Sequence, residues 1–254
     1  AGRIEILRSN ASAVLGNASG GVVNVLSNTS FERPLLTLQS MFGSYGFQKN
    51  HIDVGTLVGK GRFFLSFNNT LLDGWRTHSG SSQTLLNTGV LAPIDERTTL
   101  GVYLSATTNI FRIPGPLSQA QYDSLPRQAD SSFIKRDERR YNRLGRMGVS
   151  LTHGFDDENG ISASVFVSPK YLQRSERNRF RDFNRYHVGG NFWYRNQAKF
   201  GETTSNSLII GTDEAYQDGA IHFYDLTSAG DRGTDLIANK REGANNFGAF
   251  LQDE

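Results

Sequence analysis

The chain has 254 residues, with 27 Lys and Arg against 25 Asp and Glu, and its net charge of +2 gives no whole-chain affinity for polyanions. It contains no Cys, which excludes a disulfide framework, a thiolate metal centre and a cysteine nucleophile. Its 17 Phe, 9 Tyr and 2 Trp are too many aromatics for a disordered chain, and Pro, Gly, Asn or a charge interrupts each apolar run well before the ~18 residues of a membrane helix. With 27 Gly, 6 Pro and short apolar stretches between Ser, Thr and Asn, the composition points to β structure.

Along the chain, Ile4–Arg8 reads as a short strand and Ala11–Leu15 as a helical turn stopped by Gly16. The pair Gly20-Gly21 admits a positive φ and leads into a second strand over 22–26, followed by a linker, Ser27–Pro34. From there one rhythm dominates, a two-residue alternation. Phe63, Leu65, Phe67 and Leu71 oppose Arg62, Ser66, Asn68 and Thr70; Leu100, Val102, Leu104, Ala106 and Ile110 oppose Gly101, Tyr103, Ser105, Thr107 and Asn109. Ile161, Ala163, Val165 and Val167 oppose serines 162, 164 and 168, and Tyr186, Val188, Phe192 and Tyr194 oppose Arg185, His187, Asn191 and Arg195. Weaker alternation occurs over 35–45, 49–58, 84–91, 143–153, 205–216 and 245–254, which makes about ten strands of the ~9–11 residues that cross a membrane when tilted.

The expected connections fall near 46–48, 59–61, 74–83, 92–97, 112–138, 154–160, 176–184, 197–204 and 217–244, and every second one is short. Short turns at one end and long loops at the other describe an up-and-down antiparallel wall with two unlike ends. Alternation by itself leaves two readings open: a membrane barrel with its apolar face to lipid, or a soluble β-rich module, for example one that binds carbohydrate. Aromatics near strand ends (Phe42, Tyr45, Phe111, Tyr171, Tyr186, Tyr194) favour the barrel, as an interfacial girdle.

Residues 4–25 carry a more specific signal. Ile4-Glu5-Ile6-Leu7-Arg8, Ala11-Ser12, Gly16, Gly20-Gly21 and Val23-Asn24-Val25 resemble the end of the plug domain of TonB-dependent outer-membrane receptors, with Ser9-Asn10 where that family usually has Gly-Pro and Leu15 where Tyr is common. The run Pro114–Ser118 with Pro126–Ala129 looks like a long external loop of siderophore and ferric-citrate type members, and Phe247–Glu254 like a mid-barrel strand. The resemblance implies an all-β fold: the C-terminal part of a plug domain over 1–30, then over 31–254 the N-terminal part of an antiparallel transmembrane β-barrel. Barrels of this class have ~22 strands, so about ten imply part of a longer protein.

The resemblance further implies TonB-dependent transport of an iron chelate, a ferric siderophore or ferric citrate, across the outer membrane of a Gram-negative cell. TonB would act through an N-terminal segment outside this chain, and the other partners would be the chelate, outer-membrane lipid and lipopolysaccharide. It implies a plug–barrel contact at Arg8 and Glu5, where a buried Arg must be paired. Relatives also carry cobalamin and oligosaccharides. A passive porin or adhesin barrel remains a rival, separated by a TonB box upstream.

Other motifs give plainer readings. Gly55–Gly61 has one residue too few for a phosphate loop and lacks its Ser or Thr, which leaves a tight turn. Asp156–Gly160 puts Phe155 at the first ligand position of a calcium loop, so it reads as an Asn-Gly hairpin with solvated carboxylates. Histidines 51, 78, 153, 187 and 222 show no metal-ligand spacing, and no serine-nucleophile elbow is present. No catalytic residue, metal ligand or cofactor is expected, nor any nucleic-acid partner, and the chain is not expected to be an enzyme.

The arginines supply the candidate binding residues. Arg136, Arg139, Arg140, Arg143 and Arg146 follow the 112–138 loop, and Arg174, Arg177, Arg179, Arg181 and Arg185 surround the expected 176–184 loop. Guanidinium forks match carboxylates and phosphates with paired charge-assisted hydrogen bonds. Alternation turns Arg140, Arg174 and Arg185 to the lumen, with His187 on the same face and Arg127 in the external loop; together they form the expected vestibule for an anionic chelate. Pairing with Asp137, Glu138, Glu176 and Asp182, or contact with lipopolysaccharide phosphates from outside, are the alternative uses of these charges.

Overall fold

The computed structural model describes residues 3–8, 20–26, 29, 31–200 and 204–253. The expected helical turn over 11–15 lies outside them. Two short strands, β1 (Arg3–Leu7) and β2 (Val22–Leu26), form an antiparallel pair of their own. The remaining strands make one antiparallel sheet: β3 (Leu35–Phe42), β4 (Gln48–Val58), β5 (Gly61–Leu72), β6 (Ser81–Pro93), β7 (Thr98–Arg112), β8 (Arg139–Gly154), β9 (Asn159–Glu176), β10 (Arg179–Phe200), β11 (Thr204–Leu226), β12 (Arg232–Arg241) and β13 (Ala244–Asp253). Each pairs with its sequence neighbour as far as β12. There β12 flanks the upper part of β11 and β13 the lower part, so the two lie end to end and the wall is ten strands wide.

The connections alternate between the two ends of the wall, but only 73–80 and 113–138 are the long loops that the sequence predicts for one end, where Arg177-Asn178 is also a turn. At one end sit the turns Gly59-Lys60, 94–97 and 155–158; at the other sit 43–47, 73–80, 113–138 and 227–231. The 113–138 loop contains two short helices, α1 (Gln119–Ser124) and α2 (Ser131–Lys135). Two expected loops are instead strand. β9 and β10 continue through 176–184 to a two-residue turn, Arg177-Asn178, with both residues at positive φ. Likewise β11 and β12 occupy most of 217–244, joined by 227–231. The physical reason is that these tall hairpins rise past the apolar band: the outer face turns polar while the inner one carries Leu172, Phe183 and Ile221 among cations, so hydropathy stops alternating with direction while the backbone ladder continues.

The hairpin turn expected at Asn159-Gly160 also shifts. Those residues begin β9, and the turn is 155–158. There the Asp156 carboxylate accepts hydrogen bonds from the amides of Glu158 and Asn159 and from the Asn159 side chain, so it is a turn cap and not a free carboxylate. These hydrogen bonds, that of the Asn159 side chain first, hold its carboxyl below the ordinary value.

The two faces of the wall differ in an unusual sense. On β7 the apolar Val102 and Leu104 are 42% and 41% exposed, while the intervening Tyr103 and Ser105 are the more sheltered. Val165 is 62% exposed, and Phe63 and Leu65 are partly exposed on the same side. A soluble sheet buries its apolar face; here that face is the open, convex one, as in a wall whose outer neighbours are acyl chains. The buried apolar residues Leu172, Phe183 and Ile221 pack together on the opposite, concave side. Phe42, Tyr171, Tyr186 and Tyr194 share the convex face, as a girdle requires. Phe111 does not: its register with Arg140 places it on the concave side, and Tyr45 sits in the 43–47 turn.

Candidate functional site

Above the apolar band, the concave side of β8–β12 is basic. The register sets Arg140 opposite Arg174 and Arg174 opposite Arg181, a row of three guanidinium groups across three strands. The next row inward is apolar, with Leu172, Phe183 and Ile221, and beyond it Lys170 stands opposite Arg185. Because side chains alternate, residues two apart in a strand share this face, which produces the layering cation, hydrocarbon, cation.

The rings seat the charges. The Arg174 and Arg185 guanidinium carbons lie 5.0 and 5.2 Å from the Phe183 centroid. Arg181 and Lys240 share Phe223 at 5.3 and 5.5 Å, and Arg140 lies 6.0 Å from Phe111. Such stacking holds a cation by its face and leaves its in-plane donors free. Two carboxylates offset part of the charge: Glu176 meets Arg181 at 3.0 Å and Arg140 at 3.8 Å, and Glu242 pairs with Arg185. Six cations (Arg140, Lys170, Arg174, Arg181, Arg185, Lys240) against two carboxylates leave a positive wall.

Four of these arginines, Arg140, Arg174, Arg181 and Arg185, have a buried Nε–H with no hydrogen-bond partner among the described residues, and the neighbouring His187 has a buried, unpartnered Nε2. Buried donors are normally satisfied. In this patch all four Nε–H groups lie out of solvent contact, each arginine stacked on a phenylalanine ring.

Of the residues expected from sequence, Arg140, Arg174, Arg185 and His187 share this wall. Arg127 does not. It is exposed on the 113–138 loop, with its guanidinium 5.4 Å from the Tyr45 ring centroid. Arg181, Lys170 and Lys240 also belong to the wall, beyond the lumenal set that alternation predicts. The signal for Arg181 is its four-residue spacing from Arg185, which a strand reading of 176–184 makes a shared face. Glu5 takes the Arg3 guanidinium at 2.9 Å and the Asn24 amide at 3.2 Å, whereas Arg8 is exposed.

The loops above the wall are fastened to one another. Arg76 donates to the carbonyls of Gly115 (2.8 Å), Gln128 (3.0 Å) and Pro114 (3.4 Å), which ties the 73–80 loop to the 113–138 loop. Asp137 receives Arg112 at 3.0 Å and Arg139 at 2.7 Å, and Arg139 reaches Asp231 at 2.8 Å in the 227–231 turn. Buried Glu138 pairs with Arg136 at 2.7 Å and accepts from the Arg177 amide at the β9–β10 tip. Asp130 caps α2 through the Ser132 hydroxyl and amide, which hold its carboxyl below the ordinary value.

No family model matches the sequence. Among solved structures, the chain is similar to the ferric citrate transporter FecA in its unliganded form, with 19% identity, a TM-score of 0.79, and coverage of 98% of this chain and 40% of that one. It is similar to the pyoverdine outer-membrane receptor FpvA of Pseudomonas aeruginosa PAO1, with 11% identity, a TM-score of 0.78, and coverage of 99% and 42%. It is also similar to the alcaligin outer-membrane receptor FauA of Bordetella pertussis, with 15% identity, a TM-score of 0.77, and coverage of 98% and 38%. The fold is thus that of one part of an outer-membrane receptor barrel, and the chain spans about two-fifths of the length of the structures it matches.

Proposed function

We propose that this chain is part of a TonB-dependent outer-membrane receptor of a Gram-negative bacterium, with the end of the plug over 1–30 and the first strands of the barrel over 31–254. The whole protein takes up an anionic iron chelate and does no chemistry on it. Three receptors of the same fold are described as a ferric citrate transporter and as pyoverdine and alcaligin receptors, which supports the cargo class. The open apolar face argues against a soluble carbohydrate-binding module, because that face would then be in water.

The observation that carries the cargo's charge is the group of six cations, Arg140, Lys170, Arg174, Arg181, Arg185 and Lys240, on one concave face, with Glu176 and Glu242 paired to three of the arginines. Carboxylate and hydroxamate-type oxygens of a ferric chelate are acceptors that match terminal guanidinium N–H groups with charge-assisted hydrogen bonds. Phe183 and Phe223 hold the cations in place, and Glu176 and Glu242 limit their mutual repulsion. Arg8, exposed here, is assigned to pair with carboxylates of the barrel wall beyond this chain, with Glu5 in the adjoining polar network.

The test uses the full-length protein with ferric citrate as probe and intrinsic fluorescence quenching as readout. Changing Arg140, Arg174 and Arg185 to Gln together is expected to weaken binding at least tenfold, since one charge-assisted hydrogen bond contributes about 1.5–3 kcal/mol. Affinity equal to that of the parent protein overturns the basic wall as the binding site.

A further inference from the structure

Between the β1–β2 pair and the wall, one buried residue fastens the chain. β1 and β2 bond to each other and, among the described residues, to no strand of the wall. Ile4, Ile6, Val23 and Val25 are each at least 60% exposed. A cavity of about 410 Å³ lies between Val25 and Leu26 on one side and His51, Asp53, Ser66 and Asn87 of the wall on the other, so β2 stands off the wall. Phe31 does the opposite: it is 7% exposed, although it precedes β3 and belongs to no strand.

The seat of its ring is Gly55 on β4. A Cβ there would stand 3.0 Å from the Phe31 Cζ and 2.9 Å from the Leu35 Cγ, so the ring fits only against bare backbone. The wall repeats this device with its own residues one strand on. Phe64, opposite Gly55, lies over Gly89, where a Cβ would stand 2.7 Å from the Phe64 Cζ. Phe31 thus extends a row of rings laid over glycines on the concave face. Its carbonyl is held too, accepting from the Arg62 Nε–H of β5 at 3.0 Å. Ring and backbone are fixed to two different strands, near the end of the wall that carries the Gly59-Lys60 turn.

The consequence is mechanical. A pull from the N-terminal side of the chain reaches Phe31 before Leu35, the first rung of the β3–β4 ladder. Ladder bonds lie across the strands, so a load applied at the end of β3 would open them one at a time. A buried ring gives up its many contacts together, and here with them a hydrogen bond. We propose that Phe31, seated on Gly55 and held by Arg62, is a stop that keeps the barrel wall out of the movement of the plug: β1 and β2 yield to a load, and the chain from Phe31 onward stays in place. The inference rests on the plug-and-barrel reading above and concerns neither the chelate nor its site.

Force spectroscopy tests it on the full-length protein in a phospholipid bilayer, pulled by its N-terminus with neither chelate nor TonB present. Wild type is expected to release the plug and then halt with the tether ending at Phe31. In Phe31→Ala and in Gly55→Val, which fills the seat, the halt is expected to move to Leu35, lengthening the tether by four residues, about 14 Å at ~3.4 Å per residue. A bismaleimide bridge between Leu26→Cys and Ser66→Cys, across the cavity, is expected to shorten it by five residues, about 17 Å. The same halt in wild type and in either folded variant overturns the proposal. Heat-modifiable gel migration reports folding. If neither variant folds, the bridge decides: a shortening of nine residues, about 31 Å, puts the wild-type halt at Leu35 and overturns the stop. A wall that opens with no segment released before it refutes the plug reading and the stop together, whereas a halt insensitive to Phe31 with ferric citrate binding intact refutes the stop alone.

Discussion

Placing an arginine at Val165 tests which face meets lipid. On β9 the convex residues are Ile161, Ala163, Val165, Val167 and Pro169, so Val165 is central in the apolar band. At ~3.4 Å per residue it lies about 14 Å along the strand from either end of that row, or about 10 Å in depth for a strand tilted ~45°. A charge near the bilayer midplane costs about 2–4 kcal/mol, which shifts the folding equilibrium roughly thirty- to nine-hundred-fold. Ser164 is the adjacent residue on the concave side, and Ser164→Arg gives up only its hydrogen bond to Asn191, about 1 kcal/mol. Urea unfolding of the full-length receptor in phospholipid vesicles, followed by tryptophan fluorescence, compares the two variants. Equal destabilisation, or a larger loss for Ser164→Arg, would falsify the assignment of the convex face to lipid.

Arg76→Ala removes three carbonyl contacts to the 113–138 loop, at about 2–3 kcal/mol of local stability, so limited proteolysis within 113–138 should accelerate while strand protection is unchanged. Phe183→Ala empties the position between Leu172 and Ile221 and unseats two arginines; it should lower unfolding stability by about 3–5 kcal/mol, against less than about 1.5 kcal/mol for Phe183→Leu in the same urea titration. The Asp130 carboxyl is held below its ordinary 3.8. Its contribution to α2 is therefore full above that value and lost as pH falls through the lower, folded value. The protection factor of the Ser132 amide, its exchange measured against the free chain at the same pH, should stay constant from neutrality to about pH 4 and fall below it, and Asp130→Asn should remove the transition.

The alternation over 98–111 and 161–168 was legible because most outward residues there are apolar and most inward ones small or polar, with Thr108 outward and Phe111 and Phe166 inward against the pattern, so the period survives in the sequence itself. It fails over 171–184, where Tyr171, Gln173 and the buried Asp182 on one side stand against Leu172, Arg174 and Arg181 on the other, and hydropathy no longer tracks direction. There only the inter-strand ladder defines the element, and a ladder is not written in either strand alone. Arg140, Arg174 and Arg185 could be oriented by counting from legible strands. Arg181 could not, because the count was broken by a loop that is not there. Phe111 misled for a related reason: an aromatic at a strand end fits a girdle equally well from either face, and here it underlies Arg140.

Under the proposed function, the tall β9–β10 hairpin bears on the speed of capture. Its cations ride on paired backbone up to the Arg177-Asn178 tip, so nothing has to condense around an arriving anion before contact is made. Arrival should then follow the field of the wall: fast at low ionic strength, slowing steeply as salt is raised, and without a lag from gating.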